Sequence, residues 1–298
     1  MTYYPGSDSA NLRFEEIDSV IRGIMEQNFI MKNLVDTVQV SEWKSSYFRE
    51  SIKTFANLVS NSQNRTPQGV PRMTDFPEDE VLFEKITARQ LKFAAAATIS
   101  LEDSLSSVID NEMRHSARIA NRIVGLIDTH VWNTLAQVSA AGVPTATDIY
   151  GINTYSPWSN PYLPSRRPAE DLLVAKATIG NSALQSYRAN TAVINPLDGA
   201  YVASADSVVT GFSQSGSNLV KTGQVGELSG LAIVESPTVT ADYALVLQSK
   251  VCGTFQQLKD LETAVVPNPL ISKKIRAALE GVCQLKAPRA VCLISNTR

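Results

Sequence analysis

A chain of 298 residues, 44% hydrophobic and 19% charged, has enough apolar material to bury a sizeable core in one or two domains. With 27 Lys+Arg against 29 Asp+Glu, the formal net charge of -2 argues against an affinity built on neutralising many phosphates, although a local basic face stays open. No run approaches the roughly 18 apolar residues of a membrane span, and Cys252, Cys283 and Cys292 are too few and too unpaired for a disulfide framework.

Residues 1–10 read as a flexible end, and "MTYYPGSDSANLRFEE" has no basic region followed by an apolar stretch. No secretory leader is therefore expected, "NRT" at Asn64 carries no weight as a glycosylation acceptor, and synthesis in a cytoplasm as a soluble chain is expected. From Leu12 to Val35, apolar residues at near-helical spacing (Leu12, Ile17, Val20, Ile21, Ile24, Met25, then Met31 and Val35) predict an amphipathic helix, interrupted near Gly23. Residues 41–98 lack a helical stripe, and "NSQNRTPQGVPRMTDFPEDE" in their middle is dense in turn formers. Phe48, Ile52 and Phe55 on one side and Val81, Phe83 and Ile86 on the other fit a long two-stranded projection. Such an arm is marginal alone and needs a surface to lie on.

Residues 99–140 carry the strongest local signal. Ser100 stands as N-cap with Asp103 three residues on, and Leu101, Leu105, Val108, Ile109, Ile119, Ile123, Val124, Ile127, Val131, Leu135 and Val138 recur at helical spacing. Gly142 and Pro144 end the pattern. A helix of about 40 residues would run about 60 Å and cross the whole molecule. Residues 145–167 read as loop, and Pro168 opens a helix with Glu170 and Asp171 in its first turn and Gly180-Asn181 at its end. A strand follows at Thr191–Asn195, stopped by Pro196; Asp198 would cap a short helix over Gly199–Phe212. The glycine-bearing "GQVGELSGLAIVESPTV" holds a strand at Leu231–Val234, "YALVLQSK" at 243–250 is a buried strand, and the end is β-rich.

Chemistry is sparse. His115 and His130 lie 15 residues apart on the long helix, about 60° apart around it and over 20 Å along it, so they cannot share a metal. Solvent-facing or interface positions are expected for both. "GFSQS" around Ser213 lacks the second glycine of a nucleophile elbow and a histidine to serve it. Asp75, Glu78, Asp79 and Glu80 lack calcium-loop spacing and read as a solvated acidic face. Gly223, Gly226 and Gly230 match neither a dinucleotide fingerprint nor a phosphate loop, and are followed by strand rather than helix; they read as turn glycines. No catalytic, cofactor-binding or metal-binding residue is assigned, and no enzyme is expected; a soluble hydrolase is the remote alternative.

The order of pieces, with "AVINPLDG" (192–199), "GELSGLAIVESPTVTADYALV" (226–246) and "KIRAALEGVCQLKAPRAVCLI" (274–294), resembles the major capsid proteins of tailed phages with the Hong Kong 97-like fold. "SKKIRAALEG" has spacing that also suits a helix, whereas the resemblance implies strand. It implies an α+β fold: N-terminal arm (1–40), extended β-hairpin loop (41–98), peripheral domain with a long spine helix (99–164), axial domain (165–250) and peripheral return strands (251–298). It further implies hexamers and pentamers of one chain, forming an icosahedral virus head around double-stranded DNA held without sequence specificity. Scaffold, portal or decoration proteins are the other implied partners, with no membrane and no cofactor. A cellular nanocompartment shell of the encapsulin type is the same-fold alternative. The lysine and asparagine through which some relatives crosslink cannot be placed.

Overall fold

The computed structural model describes residues 7–50, 83–100, 102, 111–160, 162, 165–181, 187–205, 226–268 and 271–298. Helix α1 (Ser7–Asn28) runs through Gly23 without a break and stops well before Val35. Met31 and Val35, both fully buried, instead flank a 3₁₀ turn at Lys32–Leu34. A carboxylate from another helix turns the chain here: Asp128 accepts hydrogen bonds from the Ile30 and Lys32 amides at 3.0 and 3.1 Å. The apolar periodicity had tracked burial, which continues past the helix end.

The long helix α2 (Asn111–Leu135) packs Ile119, Ile123, Ile127 and Val131 inward at four-residue spacing. Upstream, Ser100 closes a strand and Glu102 is helical, while Asp103 and the apolar residues through Ile109 lie outside the described residues. Downstream, the helix ends seven residues before Gly142. Gln137 adopts φ 49° and the Val138 amide bonds the Asn133 carbonyl at 2.9 Å, a Schellman closure without glycine. The Gln137 side chain then grips Asp148 twice, through its amide at 2.8 Å and its carboxylate at 3.0 Å.

Strands β1 (Asp36–Gln39), β4 (Leu91–Ser100), β10 (Gly253–Asn268) and β11 (Ser272–Leu285) form a four-stranded sheet in the order β1-β10-β11-β4. One face is core: Phe93, Ile99, Phe255, Ile275, Ala277 and Leu279 lie against α2 and α1. In "SKKIRAALEG" these inward residues alternate with Lys274, Arg276, Ala278 and Glu280, and the segment is strand. Gly281 has no Cβ to meet the Phe255 ring, which would lie only 2.6 Å from one. Strands β2 (Lys44–Glu50) and β3 (Phe83–Arg89) pair antiparallel as a separate hairpin; residues 51–82, including Ile52, Phe55 and Val81, lie outside the described residues.

Six further strands make the second large sheet: β5 (Tyr150–Asn153), β6 (Thr191–Ile194), β7 (Glu227–Leu228), β8 (Leu231–Glu235), β9 (Tyr243–Leu247) and β12 (Val291–Ser295), in the order β5-β12-β9-β6-β8-β7. Both its faces are buried at the centre. Val193, Leu245, Leu247, Val291 and Leu293 join the core under α2. Ala192, Ile194, Ala244, Val246, Cys292 and Ile294 join a second core under helix α3 (Pro168–Gly180), with Trp158, Leu172 and Ile179. Two-sided burial explains the unbroken apolar runs "TAVI", "YALVL" and "VCLI". Helix α4 (Pro196–Ala203) is shorter than expected and its cap differs: Asn195, not Asp198, accepts from the Leu197 amide, with Pro196 as the first helical residue. Asp198 is fully buried on another task, described below.

Candidate assembly surfaces

The hairpin is fastened at its base to the outer face of the four-stranded sheet, opposite α2. Phe255, Cys283 and Leu285 point into the core, so Gln256 and Gln284 alternate onto the far face. There the Gln284 amide donates to Ser45 Oγ and to Gln256 Oε1, both at 2.9 Å, and Ser45 Oγ donates to Gln256. Arg49 of β2 bridges Glu84 across the hairpin at 2.9 Å and Asp148 behind α2 at 3.1 Å; desolvation is the largest influence on it, but the two carboxylates leave its pKa raised. Tyr47 is half-buried and hydrogen-bonded to the Leu285 backbone, and burial raises its phenol pKa. Beyond this base the hairpin offers large apolar groups to solvent: Trp43 is 56% and Phe48 63% exposed. The adjoining sheet face forms an open groove of about 470 Å³ lined by Lys92, Ala94, Ala96, Glu262, Arg276 and Ala278.

A second exposed apolar surface lies on the other side of the six-stranded sheet, where Leu173 and Val174 of α3 and Leu197 of α4 face solvent. The frame beneath is tied by Asp198, whose carboxylate accepts from Thr297 Oγ1 at 3.1 Å and Arg298 Nε at 2.8 Å. Arg298 also donates to Asn195 Oδ1, so one guanidinium holds both the cap and the first turn of α4. Trp158 Nε1 donates to Asp171 at 2.8 Å inside the second core, and burial raises the Asp171 pKa.

The residues singled out from sequence do not converge. His130 is packed inside the chain, a correction to its expected solvent or interface position: its Nε2 accepts from the Cys283 amide at 3.2 Å and its ring tilts against Phe93. Burial lowers its pKa, leaving a neutral acceptor. His115 is half-buried, well separated from it along α2. Cys252, Cys283 and Cys292 are free and buried, and burial pushes Cys252 and Cys292 up to about 12. Gly230 (φ 69°) and Ser229 (φ 59°) make the two-residue turn between β7 and β8, as a primed hairpin turn requires. Lys176 of α3 donates to the carbonyls of both turn residues, at 2.9 and 3.1 Å. Ser213, Gly223, Asn64 and the acidic group Asp75, Glu78, Asp79 and Glu80 lie outside the described residues. Among the described residues no group of three or more His, Cys, Asp or Glu could hold a metal, and no helix is long and apolar enough to cross a membrane. Asp128, the Ser45–Gln256–Gln284 set and the Asp198–Arg298 pair carried no sequence signal, because each joins residues that only the tertiary fold brings together.

No family model matches the chain, and no curated protein sequence does. Solved structures do match its fold along nearly its whole length. The capsid of the cyanophage P-SCSP1u superposes with a TM-score of 0.64 at 12% identity, covering 90% of this chain and 88% of that one. The virus-like particle of Pyrococcus furiosus gives 0.62 at 10% identity, covering 94% and 98%. The SrpI encapsulin of Synechococcus elongatus PCC 7942 gives 0.51 at 10% identity, covering 88% and 85%. By these superpositions the chain has the Hong Kong 97-like fold of phage capsids.

Proposed function

We propose that the chain is a major capsid protein of a tailed phage, assembling as hexamers and pentamers into an icosahedral head around double-stranded DNA. The observation that carries this reading is the extent of the likeness: it spans 90% or more of this chain and 87–98% of the phage capsids and the virus-like particle it resembles, so whole shell subunits are matched rather than a shared module. In this reading residues 1–40 are the N-terminal arm, 41–98 the extended loop that lies across a neighbouring subunit, 99–164 with 251–298 the peripheral domain, and 165–250 the axial domain. Exposed Trp43 and Phe48 on the hairpin, and Leu173, Val174 and Leu197 on the helices over the second sheet, are then surfaces covered by other copies. In this reading the chain is made in the host cytoplasm and resides in the virion shell.

The encapsulin-type compartment is the second reading, favoured by the likeness to the SrpI encapsulin at the lower TM-score of 0.51. Recombinant full-length protein, followed by negative-stain microscopy and sedimentation, tests both. Capsomers or shells are expected, and shells with nucleic acid support the phage reading. Shells holding an enzyme instead support the compartment. A monodisperse monomer across salt conditions, even with neighbouring viral genes co-expressed, overturns both.

A further inference from the structure

The outward face of α2 has an unusual charge pattern. Between Glu112 and Asp128 the sequence contains no carboxylate, yet it carries Arg114, Arg118 and Arg122. Spaced by four, they stand in one stripe, each exposed, roughly 140° around the helix from the buried Ile119, Ile123 and Ile127.

Nothing described in the chain answers these charges. Arg22, Arg49, Arg167 and Arg298 each sit on an aspartate or glutamate. Among the described residues no carboxylate pairs with Arg114, Arg118 or Arg122. For Arg118 and Arg122 no acidic residue stands three or four positions away in either direction. Two successive like-charge pairs at four-residue spacing destabilise a helix, so the stripe is not there for the helix's own sake. The hairpin base lies on the opposite side of the intervening sheet, where the charges are mixed and partly paired, as in Lys92–Glu280 at 3.9 Å. On the α2 side the basic character is local to this stripe, since α1 packs beside α2 and carries Glu26 and the Asp18–Arg22 pair.

Resting on the shell reading above, we propose that Arg114, Arg118 and Arg122 are the contact surface for packaged nucleic acid. Guanidinium groups suit phosphate oxygens bidentately. An arginine stripe recognises backbone charge rather than sequence, and Asn121 beside it is tied through its side-chain oxygen to the Asn28 amide at 2.8 Å. A nearly neutral chain gains in this way a local cationic surface, repeated in every copy of a shell.

The test compares full-length wild type with R114Q/R118Q/R122Q and R114K/R118K/R122K. Assembly is read by microscopy, and binding of a double-stranded DNA fragment is titrated against salt on unassembled protein of the same variants, where the stripe is open to the added DNA. The glutamine variant is expected to assemble while its log–log salt slope falls by about 2–3, roughly 0.9 per lost phosphate contact, and the lysine variant to keep most of the slope. An unchanged slope in the glutamine variant overturns the proposal. So does a glutamine variant that fails to assemble while the lysine variant assembles with wild-type DNA binding unaffected by either change, which would place a neighbouring subunit's carboxylates on the stripe. A wild-type chain that stays monomeric overturns the shell reading alone, since its DNA titration still decides the stripe.

Discussion

The two large sheets are built to different specifications. The six-stranded sheet is buried on both faces, with Val193, Leu245 and Leu293 toward α2 and Ala192, Val246 and Ile294 toward α3. The four-stranded sheet buries only the face bearing Phe93, Ile275 and Leu279, and its far face holds the hairpin base at one end and an open, alanine-lined groove beside it. A sheet closed on both sides is complete within one chain. A sheet closed on one side leaves backbone order to its partners in the layer and leaves a broad surface for other contacts. The difference is already in the residues: β6, β9 and β12 are runs of branched and apolar residues, while β4 alternates Phe93 and Ile99 inward with Lys92, Ala94 and Ala96 outward.

Hollowing the second core should cost the most. Trp158→Ala removes a fully buried indole and leaves the buried Asp171 carboxylate without its 2.8 Å donor, so a loss of about 3–5 kcal/mol is expected in denaturant unfolding. Ala96→Ser on the exposed face of β4 should shift stability by no more than about 0.5 kcal/mol. Comparable losses from the two would mean that the four-stranded sheet's far face is as closed as the other sheet. Next in size is Arg298→Ala, which strips a charged donor from the fully buried Asp198 and from the Asn195 cap. About 2 kcal/mol is expected, with hydrogen exchange rising first in α4. Unaltered exchange in α4 would show that the cap stands without it.

Closed regions were also the more legible ones. Strands with two buried faces announce themselves as short apolar runs, so the expected bounds of β6 and β9 fall within three residues of the observed ones. The α2 stripe was readable because one face of a long helix repeats its burial. Helix ends were not: Met31 and Val35 keep the apolar rhythm although an Asp128 carboxylate has already turned the chain, and Gln137 takes the left-handed position that sequence reading reserves for glycine. Strand β4 was absorbed into the extended loop because alanine serves on both faces of "AAAA" and leaves no alternation to read. The hairpin fastening was invisible for a different reason. Ser45, Gln256 and Gln284 are polar residues buried together only by tertiary pairing, and nothing local distinguishes them from solvated ones.

That fastening supplies a finer test of the one-sided sheet. Gln284→Ala removes the donor that joins Ser45 to Gln256, and about 1–2 kcal/mol is expected. The change should show as faster hydrogen exchange across β2 and β3, with the six-stranded sheet unaffected. If protection fell equally in β9 and β12, the hairpin base and the second sheet would form one cooperative unit and the contrast drawn above would fail.

The smallest effect concerns His130, which sits where α2 meets the four-stranded sheet. Its pKa is lowered by burial, so in the folded chain it resists a proton that the unfolded chain accepts below about 6.5. The unfolded state then binds more protons, and stability must fall as pH drops below that value until the folded pKa is reached. The expected contribution between pH 7 and 5.5 is about 1 kcal/mol or less. His130→Gln keeps an acceptor for the Cys283 amide but cannot titrate, so its stability should decline less than that of wild type over this window. Parallel declines would mean that the imidazole protonates in place, which requires the sheet edge at Cys283 to open to water and would make the inner face of the four-stranded sheet less closed than its packing implies.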